Sequence, residues 1–168
     1  MIQTATINDI PLLVTLLNSA YRGEASKKGW TTEADLISGS IRTDEAQLRK
    51  LMGKPGAVFL KSVNEKDEIE GSVYLDKRDG KIYLGMLSVN PVLQAKGTGT
   101  KIMAAAEEHA RNENCTVIFM RVISLRHELI AWYEKQGYYR TGETEPFENS
   151  PFGTATKPFE FLIMEKRL

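Results

Sequence analysis

The sequence predicts a mixed α/β fold in which a central, mostly antiparallel sheet is flanked by helices. Three strand candidates in the middle of the chain follow one another through short polar turns, which is typical of antiparallel hairpins. In the second half, helix and strand candidates alternate, which indicates crossover connections. The composition is that of a globular protein, with 42% apolar and 26% charged residues. A chain of 168 residues fits a single domain over 1–168.

Each element of the first half rests on a local signal. Leucines at helical spacing predict a helix after Pro11, a residue that is favoured in a first helical turn. Thr32 and Thr43 are candidate helix caps, and the Gly-Lys-Pro-Gly run at 53–56 is a break. In order, the predicted elements are a strand at 2–7, helices at 11–20, 32–39 and 44–52, and strands at 57–63, 69–76 and 81–89.

The second half contains the clearest helix. Ile102, Met103, Ala106 and Ala110 give it one apolar face. A β-branched, mostly apolar run follows and is typical of a central strand. Gly137 occupies the position after a helix where glycine is favoured. The predicted elements are helices at 98–113 and 127–136, strands at 116–123, 138–141 and 159–166, and a polar loop at 144–158.

Charge and cysteine content exclude several classes of protein. The 22 basic and 22 acidic side chains cancel, so no electrostatic signal favours nucleic acid or an anionic membrane. One cysteine precludes an intrachain disulfide, which favours a cytoplasmic location. The N-terminus lacks the features of a signal peptide, and no window approaches the roughly 18 apolar residues of a membrane helix. Two histidines and one cysteine do not form a zinc motif, so no metal is expected.

The segment Gln94–Gly99 is the strongest candidate for ligand binding. It joins a predicted strand to a helix through a glycine-containing loop, and the free N–H groups of such a helix start attract anions. Lys96 adds a positive charge, so the expected ligand contains a phosphate or pyrophosphate. The spacing matches neither a Walker A loop nor a dinucleotide fingerprint. A glycine-rich helix entry without a ligand remains the alternative at this point.

Two motifs together resemble the GNAT acetyltransferases. Gln94-Ala95-Lys96-Gly97-Thr98-Gly99 is similar to the family's motif A loop, (Q/R)xxGx(G/A), and Trp132–Tyr138 is similar to its motif B. The 34 residues from Gly99 to Tyr133 accommodate the helix, strand and helix start that the family requires. The resemblance extends over essentially the whole chain and implies the GNAT acyl-CoA N-acyltransferase fold.

The resemblance assigns the cofactor contacts. It implies that the backbone of Leu87, Ser88 and Val89 pairs with the pantetheine arm of acetyl-CoA. It also implies that N–H groups from the following loop and helix start hold the pyrophosphate, namely those of Gln94, Ala95, Lys96, Gly97, Thr98, Gly99 and Thr100. Arg126 occupies a position where many members have an asparagine that contacts pantetheine. We therefore include Arg126 among the cofactor residues, on the 3′-phosphate side, with a solvated helix-start arginine as the alternative.

Tyr133 matches the tyrosine that the family places near the thioester sulfur. A phenol of pKa roughly 10 can protonate a departing thiolate, so the predicted role is general acid. The alternative is a core aromatic beside Leu129 and Ile130.

The acceptor side carries weaker signals. Acetylation needs a neutral amine, so a carboxylate base is expected. Glu33 is the predicted one, with a capping carboxylate as the alternative. The resemblance implies that residues 21–42 and 143–157 wall the acceptor site. There, an exposed Trp30 beside Glu33 and Arg42 would suit a polar small molecule with an amine, and burial of Trp30 is the alternative. Other candidates near this site are Glu24, Asp35, Asp76, Tyr74 and Tyr83. Cys115 is interpreted as a buried, inert thiol rather than an acyl carrier.

The resulting functional expectation is an acetyl-CoA-dependent N-acetyltransferase. The acetyl group is transferred to a primary amine by direct attack in a ternary complex. A small-molecule amine is the expected acceptor, and a protein amine is the alternative. The alternative is a non-catalytic acyl-CoA-binding or interaction module on the same fold, since fold alone does not fix function. Members of the family often dimerise, so a homodimer is one option.

Overall fold

The computed structural model of the protein describes residues 1–29, 32–93 and 96–168, without the side chain of Glu24. Its elements in chain order are β1 (Ile2–Thr4), a 3-10 turn (Ile7–Asp9), α1 (Ile10–Tyr21), α2 (Gly23–Ser26), β2 (Ile37–Ser38), α3 (Glu45–Met52), β3 (Ala57–Val63), β4 (Ile69–Arg78), β5 (Lys81–Val89), a second 3-10 turn (Pro91–Leu93), α4 (Thr98–Asn112), β6 (Val117–Ile123), α5 (His127–Lys135), β7 (Tyr139–Pro146), β8 (Thr154–Ala155) and β9 (Glu160–Arg167).

A mixed sheet forms the centre of the fold. Within the described residues its strand order is β1-β3-β4-β5-β6-β9-β7. Neighbouring strands are antiparallel, except that β5 and β6 run parallel. The helix α4 connects β5 to β6, which is the crossover that a parallel pair requires. The prediction of a mixed, mostly antiparallel sheet flanked by helices is confirmed.

Helices cover both faces of this sheet. Side chains alternate between the faces along β4, so Tyr74 packs with the cluster around α1 and α3, whereas Val73 and Leu75 join the cluster around α4 and α5. The helix α1 contributes a fully apolar buried face, including Leu13 and Leu17, which are completely buried. Each such leucine stabilises the fold by about 1.5–3 kcal/mol through burial. None of the described helices is long and apolar enough to cross a membrane.

The predicted helix over 32–39 is wrong. Only one turn forms there, in which the Glu33 carbonyl accepts hydrogen bonds from the N–H groups of Leu36 and Ile37. The chain then pairs with β8, where Ile37 lies opposite Ala155 and is buried. Burial of Ile37 against a distant strand outweighs the local helical preference, which is worth only tenths of a kcal/mol per residue.

Other boundaries also differ from the prediction. The first strand, predicted at 2–7, ends at Thr4, because only Ile2–Thr4 pair with β3. The strand β7 continues through Thr144 to Pro146 because these residues pair with β9 at the sheet edge. Most β7 side chains are exposed, so no alternation of apolar and polar residues marks the strand in the sequence. Asp44, and not Thr43, caps α3, because its side chain accepts a hydrogen bond of 2.8 Å from the Gln47 N–H.

Candidate active site

The candidate site is an opening between β5 and β6. These two strands pair only at Ile82–Ile118 and Tyr83–Phe119, near their N-terminal ends. Beyond Tyr83 they leave a cavity of about 490 Å³, lined by Leu84–Leu87 of β5, 120–123 of β6, α5, the end of α1 and the segment between β7 and β8. Its volume is in the range of small-molecule sites.

The predicted pantetheine contacts lie on the C-terminal part of β5. Opposite β4, β5 has one extra residue between Gly85 and Ser88, a bulge in which Met86 adopts a left-handed φ of 52°. Such bulges redirect the backbone next to binding sites. Leu87, Ser88 and Val89 are buried and lie beyond the last β5–β6 pair. The Leu87 carbonyl accepts a short hydrogen bond from the Tyr21 hydroxyl.

At the start of α4, no side chain in the described part of the chain caps the backbone donors. Gly97 is its N-cap in a left-handed conformation, with φ of 83°, and it has no side chain to satisfy the first N–H groups. The first turn holds no acidic residue, and Lys96 and Thr100 are exposed. A Cβ on Gly99 would lie 3.4 Å from the Trp132 ring, so this helix start packs closely on α5. Gln94 and Ala95, which are also predicted contacts, lie outside the described residues.

Tyr133 lines the cavity from α5 and is 5% exposed. Its ring packs edge-on against Trp132 and Tyr138, at centroid distances of 5.3 and 6.0 Å. Burial raises the pKa of Tyr133 far above its ordinary value of 10, while the positive charge of Arg126 acts in the opposite direction. The phenol is therefore protonated at neutral pH, as a proton donor must be.

Glu33 lies in a cluster of three arginines. Its Oε1 is 3.3 Å from Arg22 Nε and 3.7 Å from Arg42 Nε, and its Oε2 is 3.8 Å from Arg126 Nη1. The carboxylate is 7% exposed, and all four side chains line the cavity. The Glu33 N–H donates a 2.8 Å hydrogen bond to the Tyr21 carbonyl, which fixes the cluster to the end of α1.

Tyr21 joins this cluster to β5. The guanidinium groups of Arg42 and Arg126 lie 5.5 and 5.9 Å from the centre of its ring. Burial raises the pKa of Tyr21 to about 12, although Arg126 lowers it. The neutral ring therefore separates the two arginines from the Leu87 carbonyl, to which its hydroxyl is bonded.

The other candidates from the sequence have different surroundings. Tyr83 lines the cavity, whereas Asp35 is exposed and Asp76 is buried outside the cavity, where it accepts a 3.0 Å hydrogen bond from Arg78. Trp30 and the Glu24 side chain lie outside the described residues. Cys115 is a buried free thiol that lies outside the cavity lining.

The two segments that the resemblance predicts as acceptor walls, 21–42 and 143–157, both line the cavity, through Tyr21, Arg22 and Arg42 of the first and Glu145, Glu148 and Phe152 of the second. Arg121 of β6 is a cavity residue that the sequence analysis missed. Tyr21 and Arg22 follow the last apolar turn of a helix, and the pattern there favours a loop. No local motif connects them to residues more than a hundred positions away.

Comparison with known proteins gives consistent results. The model of the Acetyltransferase (GNAT) family matches residues 16–138. The uncharacterized protein YdhI of Bacillus subtilis is 32% identical over 114 residues, which are 66% of this chain and 62% of that protein. The match thus spans less than two thirds of that relative.

Solved structures share the fold at low identity. The smu.2055 protein of Streptococcus mutans has a TM-score of 0.76 at 16% identity, with 99% of this chain and 98% of that chain covered. The ribosomal-protein-alanine N-acetyltransferase of Brucella melitensis has a TM-score of 0.73 at 21% identity, with 100% of this chain and 99% of that chain covered. An aminoglycoside 6′-N-acetyltransferase, solved with coenzyme A, has a TM-score of 0.71 at 16% identity, with 99% of this chain and 96% of that chain covered. With the family model matching most of its length, the chain belongs to the GNAT acetyltransferase family.

Proposed function

We propose that this protein transfers the acetyl group of acetyl-CoA to a primary amine, by direct attack in a ternary complex. The observation that carries the proposal is the opening between β5 and β6, where Leu84–Leu87 of β5 line the cavity without pairing with β6 and the buried Tyr133 lies in the wall. The family supports acetyltransferase activity in general; the donor and the amine are the proposed part.

The described residues fit a CoA thioester. Beyond Tyr83, β5 has no β6 partner, so its backbone offers hydrogen bonds to an extended amide-containing arm. The helix α4 begins with free N–H groups at Gly97–Thr100, and its dipole favours a pyrophosphate there. The coenzyme A bound to the aminoglycoside 6′-N-acetyltransferase adds support.

Each side chain and backbone group then has a distinct task. Acetyl-CoA supplies an activated acetyl group as a thioester. A backbone N–H of the Leu87–Val89 segment polarises the thioester carbonyl, as in other sites where donors face a developing oxyanion. Tyr133 donates its proton to the sulfur that leaves. Arg126 assists this step, because a nearby positive charge stabilises the phenolate that remains.

Glu33 has two proposed roles, of which the geometry favours the second. As a general base, it would accept the proton of the amine. As a counter-ion, it would hold Arg22, Arg42 and Arg126 in place. Accepting a proton would weaken its attraction to three guanidinium groups at once, which makes the counter-ion role more favourable. Glu145 and Glu148, both exposed on the cavity wall, are further candidates for the base.

The substitution Glu33→Gln separates these roles. If Glu33 is a counter-ion, the loss of its charge leaves buried positive charges uncompensated. We then expect the free energy of unfolding to fall by about 3–5 kcal/mol. Denaturant unfolding measures this loss. Glu145→Gln is the control, because its 3.4 Å pair with Arg121 is exposed and is worth about 0–1 kcal/mol. A Glu33→Gln protein of unchanged stability that has lost turnover would instead support the general base.

Thermal unfolding with added ligands tests the proposed donor. A ligand at about 100 times its Kd adds about 2.7 kcal/mol, which raises Tm by several degrees in a protein of this size. We expect this shift with acetyl-CoA and CoA, and none with ATP or NAD. Release of free thiol is then followed with a panel of amines. If acetyl-CoA binds but no amine of the panel causes release of free thiol, a non-catalytic acyl-CoA-binding module is favoured. If neither acetyl-CoA nor CoA raises Tm, the proposed donor is wrong.

A further inference from the structure

The cluster around Glu33 holds an excess of buried positive charge. Three guanidinium groups face one carboxylate within 4 Å, so two positive charges are uncompensated among the described side chains of the cluster. The side chains of Arg22, Arg126 and Glu33 are 4%, 9% and 9% exposed. Burial of unpaired charge is costly, and proteins normally offset it with a counter-ion. A cavity wall with this charge is suited to an anion.

The three arginines differ in how far their donors are used. Arg22 is engaged on several sides: Nε donates to Glu33, and Nη1 donates to the carbonyls of Ile41 and Phe152. It therefore connects segments of the cavity wall and has little capacity left for a ligand.

Arg126 and Arg42 have guanidinium donors that no described residue uses. Arg126 Nη2 is buried and has no hydrogen-bond partner among the described residues, and its Nη1 is 3.8 Å from Glu33, beyond hydrogen-bond distance. Arg42 Nε is 3.7 Å from the same carboxylate, and its side chain is 26% exposed and lines the cavity. Both guanidinium groups lie beside the Glu33 carboxylate and the Tyr21 ring, so both lie in one part of the cavity.

The backbone of both arginines is held in place. The backbone N–H of Arg42 donates a 2.6 Å hydrogen bond to Asn18 Oδ1 in α1, and the same oxygen accepts from the Thr43 N–H at 3.0 Å. Arg126 is the N-cap residue of α5. Only the side chains remain to be ordered when an anion binds, which reduces the entropic cost of binding.

The cluster also limits the size of the ligand. The Tyr21 ring lies beside both arginines, and its hydroxyl bonds to the Leu87 carbonyl at the open edge of β5. One tyrosine side chain thus contacts both the arginines of the anion site and the strand of the proposed thioester site. A small molecule with an amine and an anionic group is therefore expected to reach both.

We propose that the acceptor is a small amine that carries a carboxylate, phosphate or phosphonate, and that this anionic group binds to Arg126 and Arg42. Glu33 and Arg22 position the two arginines. This inference rests on the proposed acetyltransferase function and specifies its substrate class. It also assigns Arg126 to the acceptor, in place of the cofactor contact that the sequence predicts.

Matched pairs of amines test the substrate class. Each pair consists of an amino acid and its carboxamide, with aminophosphonates as a further arm, and kcat/KM is followed by thiol release from acetyl-CoA. Loss of one charge-assisted hydrogen bond corresponds to about 10- to 100-fold. Because two arginines supply such bonds, we expect the anionic member to be preferred by about 100-fold or more. The phosphonate arm identifies which anion is preferred. Equal or better turnover of the carboxamides would overturn the inference while leaving acetyl transfer intact.

Substitutions of Arg126 and Arg42 test whether these two residues cause the preference for anionic amines. Arg126→Gln and the more exposed Arg42→Gln should each reduce the anion preference towards one, with an unchanged Kd for acetyl-CoA by calorimetry. Arg111→Gln is the control: it removes an arginine that pairs with Glu107 in α4, outside the cavity, and it should keep the preference. An Arg126→Gln protein that loses acetyl-CoA affinity but retains the preference would return Arg126 to the cofactor.

A binding measurement keeps the anion site testable if no amine is acetylated. Inorganic phosphate is titrated into the full chain by calorimetry, against sodium chloride of equal ionic strength. Heat of binding in the wild type that disappears in Arg126→Gln supports the anion site even when the proposed enzymatic function fails. The absence of such heat, together with no anion preference among amines, would overturn the site itself.

Discussion

The Tyr133→Phe protein is expected to lose about 10²- to 10⁴-fold in kcat, the usual contribution of a positioned proton donor. The change removes one hydroxyl and keeps a ring that is 5% exposed and packed against Trp132 and Tyr138. Acetyl-CoA affinity should therefore change little. Steady-state kinetics with the best amine of the panel measures kcat, and calorimetry measures Kd. The pKa of Tyr133 is raised by burial, so the wild type keeps this proton donor through neutral and mildly alkaline pH.

Tyr138→Phe provides the matched control. Tyr138 is 3% exposed, its ring is 6.0 Å from that of Tyr133, and its buried hydroxyl has no hydrogen-bond partner. It lies outside the cavity lining. Removal of this hydroxyl should leave kcat within a few-fold of the wild type. If Tyr133→Phe also retained full turnover, the general-acid assignment would be wrong, and Tyr133 would be a core aromatic.

Gly97→Val is expected to weaken acetyl-CoA binding by about 100-fold or more. Gly97 has φ of 83°, a conformation that β-branched residues strongly disfavour, and it forms the N-cap of α4. Free space surrounds the position of a Cβ, so the effect comes from the backbone and not from a clash with the protein. Moving the loop misaligns the first N–H groups, and loss of two charge-assisted hydrogen bonds accounts for this factor. Calorimetric titration of acetyl-CoA measures it.

Gly80→Val separates lost binding from lost stability. Gly80 in the turn between β4 and β5 has φ of 78° and equally free space around its Cβ position. Both variants should lose comparable stability, in the range of about 1–3 kcal/mol for a strained residue. Only the variant at Gly97 should lose acetyl-CoA. Equal affinities in Gly97→Val and the wild type would exclude the α4 start as the pyrophosphate site.

Local patterns in the sequence were sufficient for most of the fold. The strands 57–63 and 81–89 have the predicted bounds, and α1, α4 and α5 differ from prediction by a residue at some ends. Periodic burial marks the helices, because each places one face against the core. The two strands are mostly apolar runs that end at turn signals. The exposed strand β7 and the short β2 have no such pattern. Their pairing partners lie far along the chain, at β9 and β8.

The candidate site divides in the same way. The sequence by itself predicts the donor side, because the loop before α4 and Tyr133, 34 residues after Gly99, resemble two motifs of the GNAT family. The structure gives Gly97 a left-handed conformation at the start of α4. On the acceptor side the sequence predicts only the walls and Glu33, and the tertiary structure brings the arginines together around it. Arg22, Glu33, Arg42 and Arg126 come from four separate segments and meet because β5 and β6 diverge while α1 and α5 pack beside the gap. Long-range electrostatics and burial create that cluster, and neither leaves a periodic trace in the chain.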